Sequence, residues 1–176
     1  MRFPRLRRRP DWVRGAIAGL LGGLAGSWAM NQFQAALRKA QANCSGTSGL
    51  QQPEESEDAT MKTAAWLLDS LAGVKLGKEQ KKIAGPMVHY GFGAAMGAIY
   101  GALAEHKRRH RVADGALFGA ALFLGADELA VPALGLSQSP AENSLSQHSS
   151  ALGAHLVYGV TLELTRRETR RALLLI

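Results

Sequence analysis

Four long stretches of the chain are rich in Gly, Ala and large apolar residues, and polar segments separate them. The stretches cover about residues 12–36, 83–104, 113–134 and 149–165. About 20 apolar helical residues cross the hydrocarbon core of a bilayer, so the pattern predicts an all-α membrane protein with four transmembrane helices. The last stretch is the shortest, and its crossing would need a locally thinned bilayer or arginine side chains that reach the headgroups.

The connection between the first two stretches, about residues 37–82, is the longest in the chain. Within it, about residues 60–74 place apolar side chains on one helical face, which predicts a short amphipathic helix in the first outward loop. Such a helix lies on the membrane surface or packs on the spans as a lid, and the sequence leaves both arrangements open.

The stretches also form two similar pairs. Gly15 and Gly19 in the first stretch share their spacing with Gly115 and Gly119 in the third, and the second and fourth each carry a His four residues before a Gly. This similarity predicts two tandem helical hairpins in a single four-span domain, residues 1–176.

Glycines at four-residue spacing lie on one face of a helix. In lipid, apolar helices gain nothing from hydrophobic pairing, so close backbone approach over small residues drives their association. The glycines predicted to pack in this way are Gly15, Gly19, Gly93, Gly97, Gly101, Gly115 and Gly119.

Basic clusters stand at alternate ends of the four stretches. Their central members are Arg8 and Arg9, Arg108 and Arg109, and Arg166 and Arg167. Short loops rich in Lys and Arg stay in the cytoplasm, which predicts a multi-pass protein of the bacterial inner membrane with both termini cytoplasmic. Lys81 and Lys82, directly beside the second stretch, run against this pattern.

Composition alone is less informative than this distribution. The net charge of +7 and the pI of about 10.0 would ordinarily suggest nucleic acid. Here the charge flanks apolar stretches, so we expect the lipid bilayer as partner, with anionic lipid at the Arg clusters and no nucleic acid. A homo-oligomer is compatible with the sequence. The mean hydropathy of −0.06 keeps a soluble helical bundle as the alternative. The single cysteine, Cys44, has no partner within the chain, and no cofactor is implied.

Ionisable residues inside the predicted spans are the candidates for chemistry. His89, Asp127, Glu128 and His155 fall at similar depth in the antiparallel arrangement. Two imidazoles and two carboxylates could bind a divalent metal or relay protons, or they could hydrogen-bond one another and lock the bundle. We favour the structural interpretation, because no short metal-ligand motif is present.

Glu163 lies three and four residues before Arg166 and Arg167. This spacing predicts ion pairs on the helix surface, where the three residues would mark the cytoplasmic boundary.

The second half of the chain resembles the YagU-like family of small bacterial inner-membrane proteins. The residues that carry the resemblance are His89, Ala104, Glu105, Gly115, Gly119, Pro132, Gly135, Leu136, Glu142, Gly153, His155, Val157, Glu163, Arg166 and Arg167. The resemblance implies an integral inner-membrane protein of unassigned activity.

The sequence contains no nucleophile elbow, phosphate loop, zinc signature or dinucleotide motif. We therefore expect a non-enzymatic membrane protein with a structural or stress-related role and no catalytic residues. The alternative is a proton- or metal-ion-handling transporter that uses the intramembrane His and acidic residues.

Overall fold

The computed structural model describes residues 10–45, 78–107, 111–137 and 139–173, together with a few single positions between 62 and 73. All regular secondary structure in these residues is helical, which confirms the predicted all-α class. We name the long helices α1 (Trp12–Ser45), α2 (Lys78–Ala104), α3 (Val112–Ala133) and α4 (Leu145–Ala172). Most of the predicted amphipathic helix, about residues 60–74, lies outside the described residues.

Helices α1, α2 and α4 are longer than the apolar stretches that predicted them, and side chains cap the starts of α1 and α4. The Asp11 carboxylate accepts a hydrogen bond from the backbone N–H of Arg14 at 3.0 Å and caps the start of α1. Ser144 and Gln147 form a capping box before α4, which then runs for 28 residues, about 42 Å. The fourth stretch, predicted as short, is therefore the centre of a much longer helix.

α3 changes its winding near its end. Residues Phe123–Ala130 form a π-helix, in which the backbone N–H of Val131 bonds to the carbonyl of Ala126 five residues earlier. Pro132 in the following turn has no N–H to donate, which weakens the ordinary four-residue ladder before it. The helix ends where Gly135 adopts a positive φ of 70° and Leu136 donates to the Val131 carbonyl.

Helix α1 lies between α2 and α4, and α3 packs against α4. Gly15 approaches Gly101 while Gly23 approaches Gly93, so α1 and α2 are antiparallel. Gly115 approaches Gly159 while Gly119 approaches His155, and all four contacts bring backbone against backbone. The α1–α2 and α3–α4 pairs are therefore antiparallel helical hairpins that share the interface between α1 and α4.

All seven glycines predicted to pack lie at these interfaces. A Cβ atom at Gly97 would meet the Cα of Gly23 at 2.8 Å, and one at Gly19 would meet the Cα of Gly101 at the same distance. Real Cβ contacts are longer than this, so a larger residue at either position would push the two backbones apart.

The topology brings the starts of α1 and α3 and the ends of α2 and α4 to the same end of the bundle. Contacts join Asp11, Glu105 and Arg170 there, and we call this the charged end. The start of α4, with His148, lies at the opposite end, which we call the loop end.

Large apolar side chains point away from the bundle. Val13 is 69% exposed, Met87 is 70% exposed and Leu117 is 68% exposed. The buried set contains the packed glycines, an apolar core that includes Phe123, Tyr158 and Leu162, and the polar side chains of Ser27, His155, Glu163 and Arg166. The many large apolar side chains on the outside and the buried charges of Glu163 and Arg166 are what distinguish this distribution from that of an ordinary soluble protein.

Among the described residues, α3 is the one helix that is long and apolar enough to cross a membrane by length and composition. Helix α4 carries Glu163, Arg166 and Arg167, and α1 and α2 contain many glycines and polar residues at their ends, which lowers the hydropathy of all three.

Candidate functional site

The charged end contains a buried ion cluster centred on Glu163. Its carboxylate accepts hydrogen bonds from Arg166 Nε at 2.8 Å, Arg166 Nη2 at 3.0 Å, Arg167 Nε at 2.6 Å and the Tyr100 hydroxyl at 3.0 Å. Glu163 is fully buried and Arg166 is 1% exposed. The Arg166 guanidinium also lies 5.9 Å from the centre of the Tyr100 ring. The cluster joins α2 to α4.

Glycines on two neighbouring helices make room for this cluster. A Cβ atom at Gly115 of α3 would meet the Cβ of Glu163 at 2.6 Å, and one at Gly22 of α1 would lie 3.4 Å from the backbone N of Arg166. Glu163 pairs with both arginines at the predicted spacing, but the prediction that the pairs lie on the helix surface is wrong. The helix turns this face inward because α1 and α3 present no side chain there.

A second ion pair lies beyond this cluster, at the tip of the charged end. The carboxylate of Glu105, just after α2, accepts hydrogen bonds from Arg170 Nε at 2.8 Å and Arg170 Nη2 at 2.9 Å. The backbone N–H of Asp11 is 3.4 Å from the same carboxylate. The hydrogen bonds from Arg170 hold the pKa of Glu105 below its ordinary value, although burial opposes this effect. The pair ties the ends of α2 and α4 to the start of α1.

Among the described residues, two guanidinium nitrogens at this end are buried without a hydrogen-bond partner. They are Nη2 of Arg167 and Nη1 of Arg170. Both side chains use their other nitrogens for the carboxylates of Glu163 and Glu105, so each guanidinium is only partly satisfied.

Toward the loop end, His155 faces the π-helical part of α3. Its Nε2 lies 3.6 Å from Oδ2 of Asp127, and its Nδ1 lies 3.0 Å from the carbonyl of Ala151. A carbonyl only accepts, so Nδ1 carries the proton and Nε2 is the atom presented to Asp127. His155 is 8% exposed.

His148 forms a separate pair with Glu128. Its Nδ1 lies 2.9 Å from Oε1 of Glu128, and its Nε2 lies 3.0 Å from the carbonyl of Pro140. The carbonyl requires a proton on Nε2, so the imidazole is held between the π-helix and the connection that leads to α4. The prediction omitted His148, although its position seven residues before His155 places both on one face of a helix.

The four polar residues proposed as one site do not converge. Asp127 pairs with His155 and Glu128 pairs with His148, while the buried Nε2 of His89 has no hydrogen-bond partner. Across the described parts of the chain, no group of three or more His, Cys, Asp or Glu could hold a metal ion. The expectation of a single four-residue cluster is therefore corrected: the π-helix directs its two adjacent carboxylates to different partners.

Part of the predicted cytoplasmic boundary lies outside the described residues. Arg8, Arg9, Arg108 and Arg109 are in this group. The remaining members, Glu163, Arg166 and Arg167, form the buried cluster.

Comparison with known proteins gives one match. The family described as protein of unknown function (DUF1440) matches residues 71–164, which include α2, α3 and most of α4. No curated protein and no solved structure matched the chain. The match covers more than half of the 176 residues. The chain therefore belongs to the family of proteins of unknown function DUF1440.

Proposed function

We propose that this chain is a four-span integral protein of the bacterial inner membrane, with both termini in the cytoplasm and a structural or stress-related role without enzymatic activity. The observation that carries the proposal is the apolar outer surface of the bundle together with the charges buried inside it. Apolar residues such as Met87 and Leu117 cover the outside, whereas Glu163 and Arg166 are buried. The DUF1440 match overlaps the region that resembles the YagU-like family.

A bilayer explains this surface more simply than water does. Large exposed apolar side chains on all four helices would promote aggregation in water, but they cost nothing against lipid chains. In lipid, polar groups must find hydrogen-bond partners within the protein, and helices associate through close packing. The carboxylate of Glu163 has four hydrogen bonds, and the packed glycines allow close backbone contact.

Exposed tryptophans indicate where the bilayer boundaries would lie. Trp12 is 48% exposed and its ring lies 4.3 Å from that of His106, at the charged end. Trp28 is 59% exposed and follows 16 positions later in α1, about 24 Å along the helix axis. Trp side chains prefer both membrane interfaces, and this spacing is about 6 Å shorter than a hydrocarbon core of about 30 Å, so the second ring would lie just inside the far boundary.

The orientation follows from the short basic connections. The segment between α2 and α3 and the end of α4 are rich in Arg and Lys, which supports a cytoplasmic charged end. The buried ion network would then hold α1, α2 and α4 together where they enter the cytoplasm.

Extraction of membranes tests the proposal. We expect the full-length protein to stay in the membrane pellet after washing with alkaline carbonate and to dissolve only in detergent. A chain that is released by carbonate, or that is found in the soluble fraction as a monodisperse species, would contradict membrane integration.

The second candidate is a proton- or metal-ion-handling transporter, and one observation favours it. The Nε2 atom of His89 is buried and unpartnered, in a bundle where His155 also faces a carboxylate. Under this candidate, His155→Gln would abolish pH-dependent flux in liposomes or remove a bound metal, since glutamine hydrogen-bonds but does not titrate near neutral pH. Under the structural role that we favour, the variant keeps nearly normal stability and cell phenotype.

A further inference from the structure

Charges at the end of α4 do not balance within the described residues. Its last turns carry the four arginines Arg166, Arg167, Arg170 and Arg171, and these pair with the three carboxylates of Glu163, Glu105 and Glu168. Glu163 serves two arginines at once, so this end of the helix has one more guanidinium than carboxylate.

The excess of guanidinium groups leaves two particular nitrogen atoms without a partner. Nη2 of Arg167 and Nη1 of Arg170 are buried and have no hydrogen-bond partner. The two residues are three positions apart on α4, which places them next to each other on one helical face. Their side chains are 23% and 16% exposed, so each guanidinium lies at the margin of the bundle; its enclosed, unpartnered nitrogen meets a ligand at the surface when the side chain turns outward.

An unsatisfied N–H on a charged group is costly, and an oxyanion is the partner that best removes the cost. Phosphate oxygens accept paired hydrogen bonds from guanidinium groups in the geometry that arginine provides. The negative end of the α4 dipole opposes an anion, but this effect is weak at an exposed helix end compared with two charge-assisted hydrogen bonds.

We propose that Arg167 and Arg170 form a specific binding site for an anionic phosphate group at the charged end of the bundle. The proposal rests on the membrane assignment above and deepens it, because the charged end would lie among cytoplasmic headgroups. The phosphate belongs either to an anionic lipid headgroup or to a soluble phosphate, and both present the same oxygens to the two arginines.

The site differs from general attraction of anions to a basic surface. Arg171 is 71% exposed on the same turns and pairs with Glu168. It contributes the same formal charge as Arg167 but has no place in the proposed site, which makes Arg171→Gln the matched control.

The test measures the thermal unfolding midpoint of the full-length protein in two settings. In lipid nanodiscs, phosphatidylglycerol replaces phosphatidylcholine in steps; in neutral detergent, inorganic phosphate replaces chloride at constant ionic strength. We expect the midpoint to rise with the anionic phosphate in at least one setting, and equally so in Arg171→Gln. A rise only in nanodiscs identifies a lipid headgroup, whereas a rise with inorganic phosphate identifies a soluble ligand.

Arg167→Lys and Arg170→Lys keep the charge but remove the guanidinium fork. Each should weaken the apparent affinity for phosphate by about tenfold, the effect of one lost charge-assisted hydrogen bond. Lysine can still pair with the neighbouring carboxylate, so these variants are expected to fold, and a monodisperse elution profile checks this.

Two results would overturn the site. One is the absence of any rise in both settings; the other is an apparent affinity for phosphate that both lysine variants leave unchanged, since diffuse charge does not distinguish lysine from arginine. If the protein meanwhile resists carbonate extraction, only the phosphate site fails and the membrane assignment stands. Release of the protein by carbonate would instead contradict the membrane assignment, and with it the binding of a lipid headgroup at this site.

Discussion

Glu163 is the side chain on which the interior of the bundle depends most. Its carboxylate neutralises a guanidinium that is almost fully buried and also holds Tyr100 of α2. Removal of one partner from a buried ion pair leaves an uncompensated charge, which is strongly destabilising.

We therefore expect Glu163→Gln to lower the free energy of unfolding by about 3–5 kcal/mol. The measurement is reversible unfolding in mixed detergent micelles. Glu168→Gln is the matched control, because Glu168 is 69% exposed on the same helix and its pair with Arg171 is a surface pair. The control should change the free energy by no more than about 0.5 kcal/mol. Equal effects of the two substitutions would contradict the buried arrangement.

The ion pair of Glu105 with Arg170 should make the free energy of unfolding depend on pH. Arg170 holds the pKa of Glu105 below its ordinary value in the folded protein, so the carboxylate stabilises the fold above the unfolded pKa of about 4.3. The contribution disappears as the pH falls through the folded pKa. The gap in unfolding free energy between the wild type and Glu105→Gln should be largest near pH 7 and should shrink below about pH 4.3. A gap that stays constant down to pH 3 would rule out this role for the pair.

The polar pairs show how far single residues can be predicted from sequence. The Glu163 pairs follow from helical spacing, which is local, whereas their burial depends on glycines of α1 and α3 that only the fold brings near. Asp127 and Glu128 are adjacent in sequence, and the change to π-helical winding decides which histidine each one meets. Nothing in the local sequence predicts that change beyond the presence of Pro132.

Glycine contacts determine how the helices pair. Gly97 of α2 packs against the backbone of α1, and a Cβ atom there would meet the Cα of Gly23 at 2.8 Å. Gly91 lies on the same helix, but a Cβ atom at that position would meet nothing within 4 Å. One helix thus supplies both a test position and its control.

We expect Gly97→Leu to separate α1 from α2, and so to lower the thermal unfolding midpoint in detergent or the amount of protein in the membrane. Gly91→Leu should leave both quantities close to those of the wild type, since its side chain would point outward. Normal behaviour of Gly97→Leu would mean that other contacts assemble the bundle.

The helices themselves were well predicted, because apolar stretches with four-residue glycine spacing indicate both helix and contact face. Their ends were predicted less well. The capping box of Ser144 and Gln147 extends α4 beyond the apolar stretch, and an ion pair rather than an apolar contact holds its other end. The central position of α1, between α2 and α4, depends on which glycine faces meet and was not predicted.

We expect the whole bundle to have a defined orientation in the membrane. The charged end contains the start of α1, the connection from α2 to α3 and the end of α4. The loop end contains the connection from α3 to α4. If all four helices cross the bilayer, these two ends lie on opposite sides of it.

Cysteine labelling in intact cells tests this arrangement. In a Cys44→Ser background, one variant carries Ser139→Cys in the exposed connection before α4, and the other carries Glu168→Cys on the exposed surface of the charged end. A membrane-impermeant maleimide should label Ser139→Cys in intact cells and should label Glu168→Cys only after the membrane is permeabilised. Labelling of Glu168→Cys in intact cells, or of both positions to the same extent, would contradict the four-span orientation.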